Sequence, residues 1–171
     1  MNIHGGNYRL IKSQARTSKI YSPGTPNPKV ARFIMGKFRP DYDVMLKLVS
    51  DGRVQIRHNA LEAARVAASK KMQLLGDEGF YLRVVTYPHQ ILSENKMIAT
   101  AGADRLQEGM RKAYGKPIGL AARVNHGSVI FEMRVKEENL AVGKSSLEAA
   151  MSKLPMRTHV EVVPLQKPVA Q

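Results

Sequence analysis

The sequence predicts an α+β fold: a mostly antiparallel sheet with two packed helices, a basic N-terminal extension and a long internal loop. Three observations predict it. Apolar and polar residues alternate over several short stretches, the period of strands. Two other stretches repeat their apolar residues at helical spacing. Residues 1–40 hold eight Lys or Arg and no Asp or Glu, a composition that rarely builds a core alone.

The elements follow in chain order. Residues 22–28, Ser-Pro-Gly-Thr-Pro-Asn-Pro, favour an extended, turn-rich path, so residues 1–40 read as an arm lying on something acidic. A disordered basic tail is the competing reading, and Tyr8, Tyr21, Phe33 and Phe38 favour order. Val44, Leu46 and Leu48 alternate with Met45, Lys47 and Val49 in a first strand. Asp51-Gly52 is a turn signal, and Val54 and Ile56 mark a second strand. Asn59 is placed to cap a helix, with Glu62 three residues on as in a capping box. Leu61, Ala64, Ala68, Met72 and Leu75 form its apolar stripe, and Gly76 stops it. Phe80 to Tyr87 is the next strand, closed by Pro88.

Leu120, Ala122 and Val124 restore the strand period after a gap. Asn125-His126-Gly127-Ser128 turns the chain. Val129, Phe131, Met133 and Val135 then share a face opposite Ile130, Glu132, Arg134 and Lys136. A second helix is expected from Ser145, with Glu148 as the capping-box partner and Leu147, Ala150, Met151 and Leu154 on its buried face. Pro155 ends it, and Val160 and Val162 mark a last strand. Strands, helix, strand, gap, strands, helix, strand describe one layered domain. Its bounds are 1–40 for the arm, 41–165 for the domain with internal loop 88–117, and 166–171 for a short tail.

Charge narrows the function. The chain has 171 residues, 43% of them hydrophobic, a formal net charge of +13 and a pI near 10.2. Such an excess repels itself unless a polyanion neutralises it. Nucleic acid leads, because each neutralised phosphate releases counterions; a membrane surface is second. No apolar run is long enough to span a bilayer, and residues 1–6 lack the order of a secretion signal. Cysteine is absent, which removes disulfides and thiolate metal sites and fits a reducing cytoplasm. Aromatics are 6% with no Trp, which argues mildly against a stacking platform for single strands.

Residues 88–117 break the pattern, and so long a connection is usually functional or disordered. Met97, Ile98, Leu106 and Met110 are apolar, Gly102, Gly109 and Gly115 permit close approach, and Asp104 could cap a short helix from Arg105 to Met110. Lys96, Arg105, Arg111, Lys112 and Lys116 outnumber Glu94, Asp104 and Glu108. A slender basic loop entering an RNA cleft and a mobile surface loop remain equally open from composition.

No catalytic set survives inspection. His4, His58, His89, His126 and His159 show no zincin spacing. Gly115-Lys116-Pro117 lacks the rest of a P-loop. Asp104 and Glu108 are flanked by Arg105 and Arg111, which favours ion pairing over acid–base work. No metal and no cofactor are expected.

The stretch from Asn95 to Val124 carries a resemblance: Asn95-Lys96-Met97, Ala101-Gly102-Ala103-Asp104-Arg105-Leu106-Gln107, Gly109-Met110-Arg111 and Gly115-Lys116-Pro117. Tyr87-Pro88-His89 and, in the arm, Tyr8-Arg9, Tyr21, Gly24, Pro26 and Lys29 extend it over nearly the whole chain. The sequence closely resembles the universal L-sixteen family of large-subunit ribosomal proteins in its archaeal form, L-ten-e. The first seven residues are less basic than that family's pattern, and little follows Pro164, which favours an archaeal rather than a eukaryotic form. The resemblance implies an α/β-hammerhead-like fold, binding to large-subunit rRNA, and a loop matching residues 94–117 that points toward the peptidyl-transferase region. The chemistry would belong to the rRNA, and the protein would position tRNA acceptor arms.

The combined expectation is a structural protein of the large ribosomal subunit, cytoplasmic, not an enzyme. Its partners would be large-subunit rRNA, tRNA acceptor arms and neighbouring ribosomal proteins, with no membrane and no homo-oligomer. Expected rRNA contacts are Arg9, Lys12, Arg16, Lys19, Lys29 and Arg32 in the arm and Arg53, Arg57, Arg123, Arg134 and Lys136 on strand faces. Arg is favoured there because its fork holds two phosphate oxygens. The expected tRNA-proximal set is Lys96, Ala101, Gly102, Asp104, Arg105, Gln107, Gly109, Met110, Arg111, Lys112 and Lys116. The arm is expected to become ordered on assembly. An RNA-modifying enzyme and a free regulatory RNA-binding or membrane-surface protein are the rivals.

Overall fold

A computed structural model describes residues 8–96 and 109–165. The α+β class is borne out, and the sheet is divided in two. The strands are β1 (Ile34–Gly36), β2 (Val44–Ser50), β3 (Val54–Arg57), β4 (Phe80–Val84), β5 (Gln90–Glu94), β6 (Lys116–Val124), β7 (Val129–Val135) and β8 (Thr158–Pro164). Among the described residues the helices are α1 (His58–Met72) and α2 (Leu140–Met151). A five-stranded sheet runs β1-β4-β7-β2-β8 and a three-stranded sheet runs β3-β6-β5, with antiparallel neighbours throughout.

Both turns read from the sequence carry the chain between sheets. The bend at Asp51-Gly52 takes β2 in the large sheet to β3 in the small one, and 125–128 takes β6 to β7. The two sheets share one core. Leu46, Leu48, Phe80, Leu82, Phe131 and Met133 from the large sheet join Val54, Ile56 and Val124 from the small one, with Leu61, Ala64, Ala68, Met72, Leu147 and Ala150 from the helices. Burying one large apolar side chain contributes roughly 1.5–3 kcal/mol, so this shared core ties the two sheets into one cooperative unit.

Several boundaries move from their expected places. α1 starts at His58, so Asn59 lies inside the helix and caps nothing; the cap position is Arg57, without a side-chain bond. Glu62 instead receives the Arg65 guanidinium and the Ala31 amide. α2 starts at Leu140, after a 3-10 turn over Glu137–Asn139, leaving Ser145 in mid-helix. Gly143 faces the core closely: a Cβ there would stand 2.8 Å from Leu46 Cδ1, so the Leu46 side chain would have to shift. One turn on, the buried Ser146 hydroxyl donates to the Ala68 carbonyl of α1 at 2.9 Å, so small residues and one hydrogen bond set the helix–helix approach. The strand expected over Phe80–Tyr87 ends at Val84. Ile130, expected on the outer face of β7, is fully buried. A register irregularity between Leu48 and Val49 skips it, and such a bulge reverses which side chains face inward.

The arm and the internal loop also contribute elements. β1, inside the arm, pairs with β4, and Val30 is buried in the core. Gln90–Glu94 within 88–117 forms β5, and Gly109–Lys112 forms a 3-10 turn. Met97, Ile98, Ala101, Gly102, Asp104, Arg105, Leu106, Gln107 and the expected Asp104 cap lie outside the described residues.

Candidate nucleic-acid interface

The outer face of the small sheet is built from alternation. In β3, Val54 and Ile56 turn toward the core, so Gln55 and Arg57 turn away; the register puts Gln55 opposite Arg123 and Arg57 opposite Ala121 on β6, and Ala121 opposite Gln90 on β5. Gln55, Arg123 and Gln90 therefore share one face, and the arm is laced across it. At the β3 edge the Gln55 amide donates to the Arg9 carbonyl at 2.8 Å, and its side-chain nitrogen donates to the Tyr8 and Leu10 carbonyls at 3.1 and 3.2 Å. In the middle the Arg123 fork donates to the Ser13 and Gln14 carbonyls at 2.8 and 3.2 Å, while its Nε donates to Gln55 Oε1 at 3.1 Å. At the β5 edge the Arg16 amide donates to Gln90 Oε1 at 2.7 Å, and the Arg16 carbonyl accepts from the Ile91 amide at 2.7 Å. Both edges of the small sheet are thus covered by chain, which satisfies backbone groups that would otherwise be open.

Further along, the arm meets α1 and the neck of the internal loop. The Lys29 amide donates to Nδ1 of His58 at 3.3 Å. His58 is 3% exposed, and burial, helped by Lys29 and Arg57, pushes its imidazole below the usual value. The neutral ring can accept that amide hydrogen; the protonated ring cannot. Tyr114, at the C-terminal side of the loop, shares a 2.5 Å hydrogen bond with the Ser22 hydroxyl and lies under the Arg16 guanidinium at 4.8 Å. The neck itself pairs Glu94 with Lys116. Gly115 closes it at φ +67°, where a Cβ would stand 2.2 Å from the Glu94 carbonyl oxygen. The arm thus has hydrogen-bond partners within its own chain along much of its length.

This arrangement leaves two neighbouring clefts of one sign. One, about 200 Å³, is lined by Lys12, Arg16 and Arg123 with Tyr8, Ser13, Gln55 and Gln90. The other, about 230 Å³, is lined by Arg9 and Arg57 with Gln55, Asn59 and Pro155. Among the described residues neither is lined by a carboxylate. Glu94, close by, engages the Tyr8 phenol, whose pKa is raised first by burial and then by that carboxylate.

The large sheet is different. Its outer face sets Arg83 opposite Glu132, Glu132 opposite Lys47 and Lys47 opposite Glu161, alternating sign across four strands. Arg134 lies over the Phe38 ring at 4.9 Å, and Lys136 stands 3.7 Å from Asp41. His159 sits between Asp51 and Glu161, whose hydrogen bonds raise its pKa, Asp51 foremost. A cleft of about 460 Å³ beside β1 mixes Arg32, Lys37 and Arg65 with Asp77 and Glu78. Of the expected strand-face contacts, Arg57 and Arg123 join Arg9, Lys12 and Arg16 around the small sheet, whereas Arg134 and Lys136 belong to this charge-balanced side. Lys19, Lys29, Arg32 and Arg53 are exposed, as are Lys96, Arg111, Lys112 and Lys116 around the loop neck. Gly109 and Met110 lie in the 3-10 turn.

Sequence reading missed Gln55, Gln90, Ser22, Tyr114 and His58. Gln55 and Gln90 are buried polar residues in strands, and the alternation that sent Gln55 outward was visible. The chain crossing over it, between 45 and 110 residues away along the sequence for the bonds to Gln55 and Arg123, had no local signal. Among the described residues no group of acidic and His side chains could hold a metal ion, and no helix is long and apolar enough to cross a membrane.

The family model of ribosomal protein L16p/L10e matches residues 10–161. The large ribosomal subunit protein uL16 of Metallosphaera sedula is 50% identical over 167 residues, 96% of this chain and 95% of the relative. The uL16 protein of Sulfolobus acidocaldarius is 49% identical over 166 residues, 95% and 94% of the two chains. That of Hyperthermus butylicus is 51% identical over 152 residues, 88% and 84%. With the model spanning both sheets, both helices and most of the arm, this chain belongs to the ribosomal protein L16p/L10e family.

Proposed function

We propose that this protein is a structural constituent of the large ribosomal subunit in cytoplasmic ribosomes, binding large-subunit rRNA and lying among neighbouring subunit proteins. It is not an enzyme. The finer reading is that it contacts rRNA through the arm and the outer face of the small sheet and helps place tRNA acceptor ends through residues 88–117. The observation that carries this reading is the pair of clefts lined by Arg9, Lys12, Arg16, Arg57 and Arg123 without a carboxylate. Phosphates entering these clefts meet cations on the lining, with the nearby Glu94 engaged by the Tyr8 phenol, and guanidiniums can hold them by two oxygens. The tRNA part rests on the family resemblance of residues 94–117 and on the basic neck, Lys96, Arg111, Lys112 and Lys116. The protein acts there as one copy beside RNA.

Two measurements test these two levels. The protein should stay with the large subunit through a moderate salt wash; release into the free-protein fraction would reject the ribosomal placement. Ribosomes carrying a deletion of residues 101–112 should contain the protein in normal amount and place tRNA poorly. Normal tRNA binding and peptide synthesis in those ribosomes would reject the positioning role while leaving the rRNA reading intact.

A further inference from the structure

Three rings form a chain at the connection between β4 and β5. Phe33 stacks on Tyr87 with centroids 5.2 Å apart and planes 21° from parallel. Tyr87 meets His89 at 4.6 Å with the planes tilted by 45°. The inner end is anchored: Phe33 packs against the core, and its carbonyl accepts the Val84 amide at 2.8 Å. The outer end is open: His89 is exposed, and Tyr87 keeps 44% of its surface.

The backbone holds these rings in place. Pro88 is buried between them, and a proline restrains both its own φ and the residue before it. The His89 amide donates to the Tyr87 carbonyl at 3.1 Å, closing a tight three-residue turn. A ring platform fixed in this way loses little conformational freedom when something stacks on it.

The surroundings indicate the occupant. Arg32 beside Phe33 is exposed, the segments that carry the rings, residues 8–40 and 79–93, contain no Asp or Glu of their own, and of the carboxylates that approach them Glu62 is paired with Arg65 and Glu78 with Lys37 and Arg39. An apolar protein side chain would gain nothing from that charge, whereas a nucleobase brings a phosphate on each side. We propose that Tyr87 and His89 form a stacking site for one unpaired nucleobase, backed by Phe33. The site reads no sequence, because every base has a π-face. It reverses the weight given to the low aromatic content: few rings suffice when two are held at one exposed turn and a third backs them. This inference rests on the RNA-binding reading, and its test is separable from that one.

The test uses the full chain and a single-stranded ten-nucleotide RNA carrying 2-aminopurine, with an RNA duplex of matched length as the control. The wild-type protein should quench the 2-aminopurine. His89→Ala and Tyr87→Ala should each weaken single-strand binding about tenfold, the scale of one lost base stack, and His89→Tyr and Tyr87→Phe should retain it. The duplex affinity and the dependence on salt should not change, since no phosphate contact is removed. Should Tyr87→Ala fail to fold, the exposed His89→Ala carries the test alone. Unchanged single-strand binding, absent quenching, or an equal loss on duplex overturns the stacking site while leaving rRNA binding through the clefts untouched.

Discussion

His58 and Arg123 show how single side chains set the interface by holding the arm in place. His58 holds the Lys29 amide through Nδ1, and burial together with the Lys29 and Arg57 charges keeps its pKa below the usual 6.5. The unfolded chain therefore binds more protons than the folded one between that lowered value and 6.5. The contribution of His58 is complete above 6.5 and is lost as the pH falls from there toward the folded value. Acidification should lower the protection factor of the Lys29 amide in the wild type, its exchange rate taken relative to the intrinsic rate at each pH, and denaturant midpoints of His58→Leu should lose part of the acid dependence. An unaltered acid dependence would remove His58 as the latch. Arg123 makes its case through salt. Its donors go to Ser13, Gln14 and Gln55, so Arg123→Ala should loosen residues 9–16 and expose the Gln55 and Ile91 amides to exchange. Its rRNA affinity should fall with a salt slope close to wild type. A slope smaller by about one phosphate's share would mean that Arg123 neutralises a phosphate itself.

At the scale of elements, the neck of the internal loop is where arm, sheet and loop meet. Gly115 has a positive φ and touches the Glu94 carbonyl, while Tyr114 is tied to Ser22 and Arg16. Gly115→Ala should destabilise the neck by at least about 1–3 kcal/mol from backbone strain, with the clash of the added Cβ against the Glu94 backbone adding to it, seen as faster exchange of the β5 and β6 amides. Protection equal to wild type would show that the close approach costs nothing to relieve. Elements with strong local periodicity were legible in the sequence, including β2, β3, β7, most of α1 and the core stripe Leu61, Ala64, Ala68 and Met72. β5 was missed because Gln90–Glu94 shows no alternation: Gln90, Ile91 and Leu92 are buried in succession, and a register irregularity follows Leu92. The start of α2 was missed because Ser145 and Glu148 have the spacing of a capping box, whereas the helix begins at Leu140 after a 3-10 turn. The division into two sheets was hidden for a related reason. A turn signal such as Asp51-Gly52 states that the chain bends, not whether the next strand pairs with the last.

For the whole molecule, the +13 charge is distributed unequally. The large sheet balances its charges by cross-strand register, whereas the arm and the small sheet gather Arg9, Lys12, Arg16, Arg57 and Arg123 around clefts without carboxylates. Composition could reveal the excess and the acid-free arm, but not the face on which it gathers, since that depends on Gln55, Arg123 and Gln90 holding the arm in place. The most direct measurement is the salt dependence of large-subunit rRNA binding by the full chain, wild type against a variant with Arg9, Lys12 and Arg16 each replaced by Glu. The log–log slope should fall in magnitude by about 2–3 in the variant, three phosphate contacts at roughly 0.7–0.9 each. A slope equal to wild type would contradict the placement of the RNA phosphates on this face.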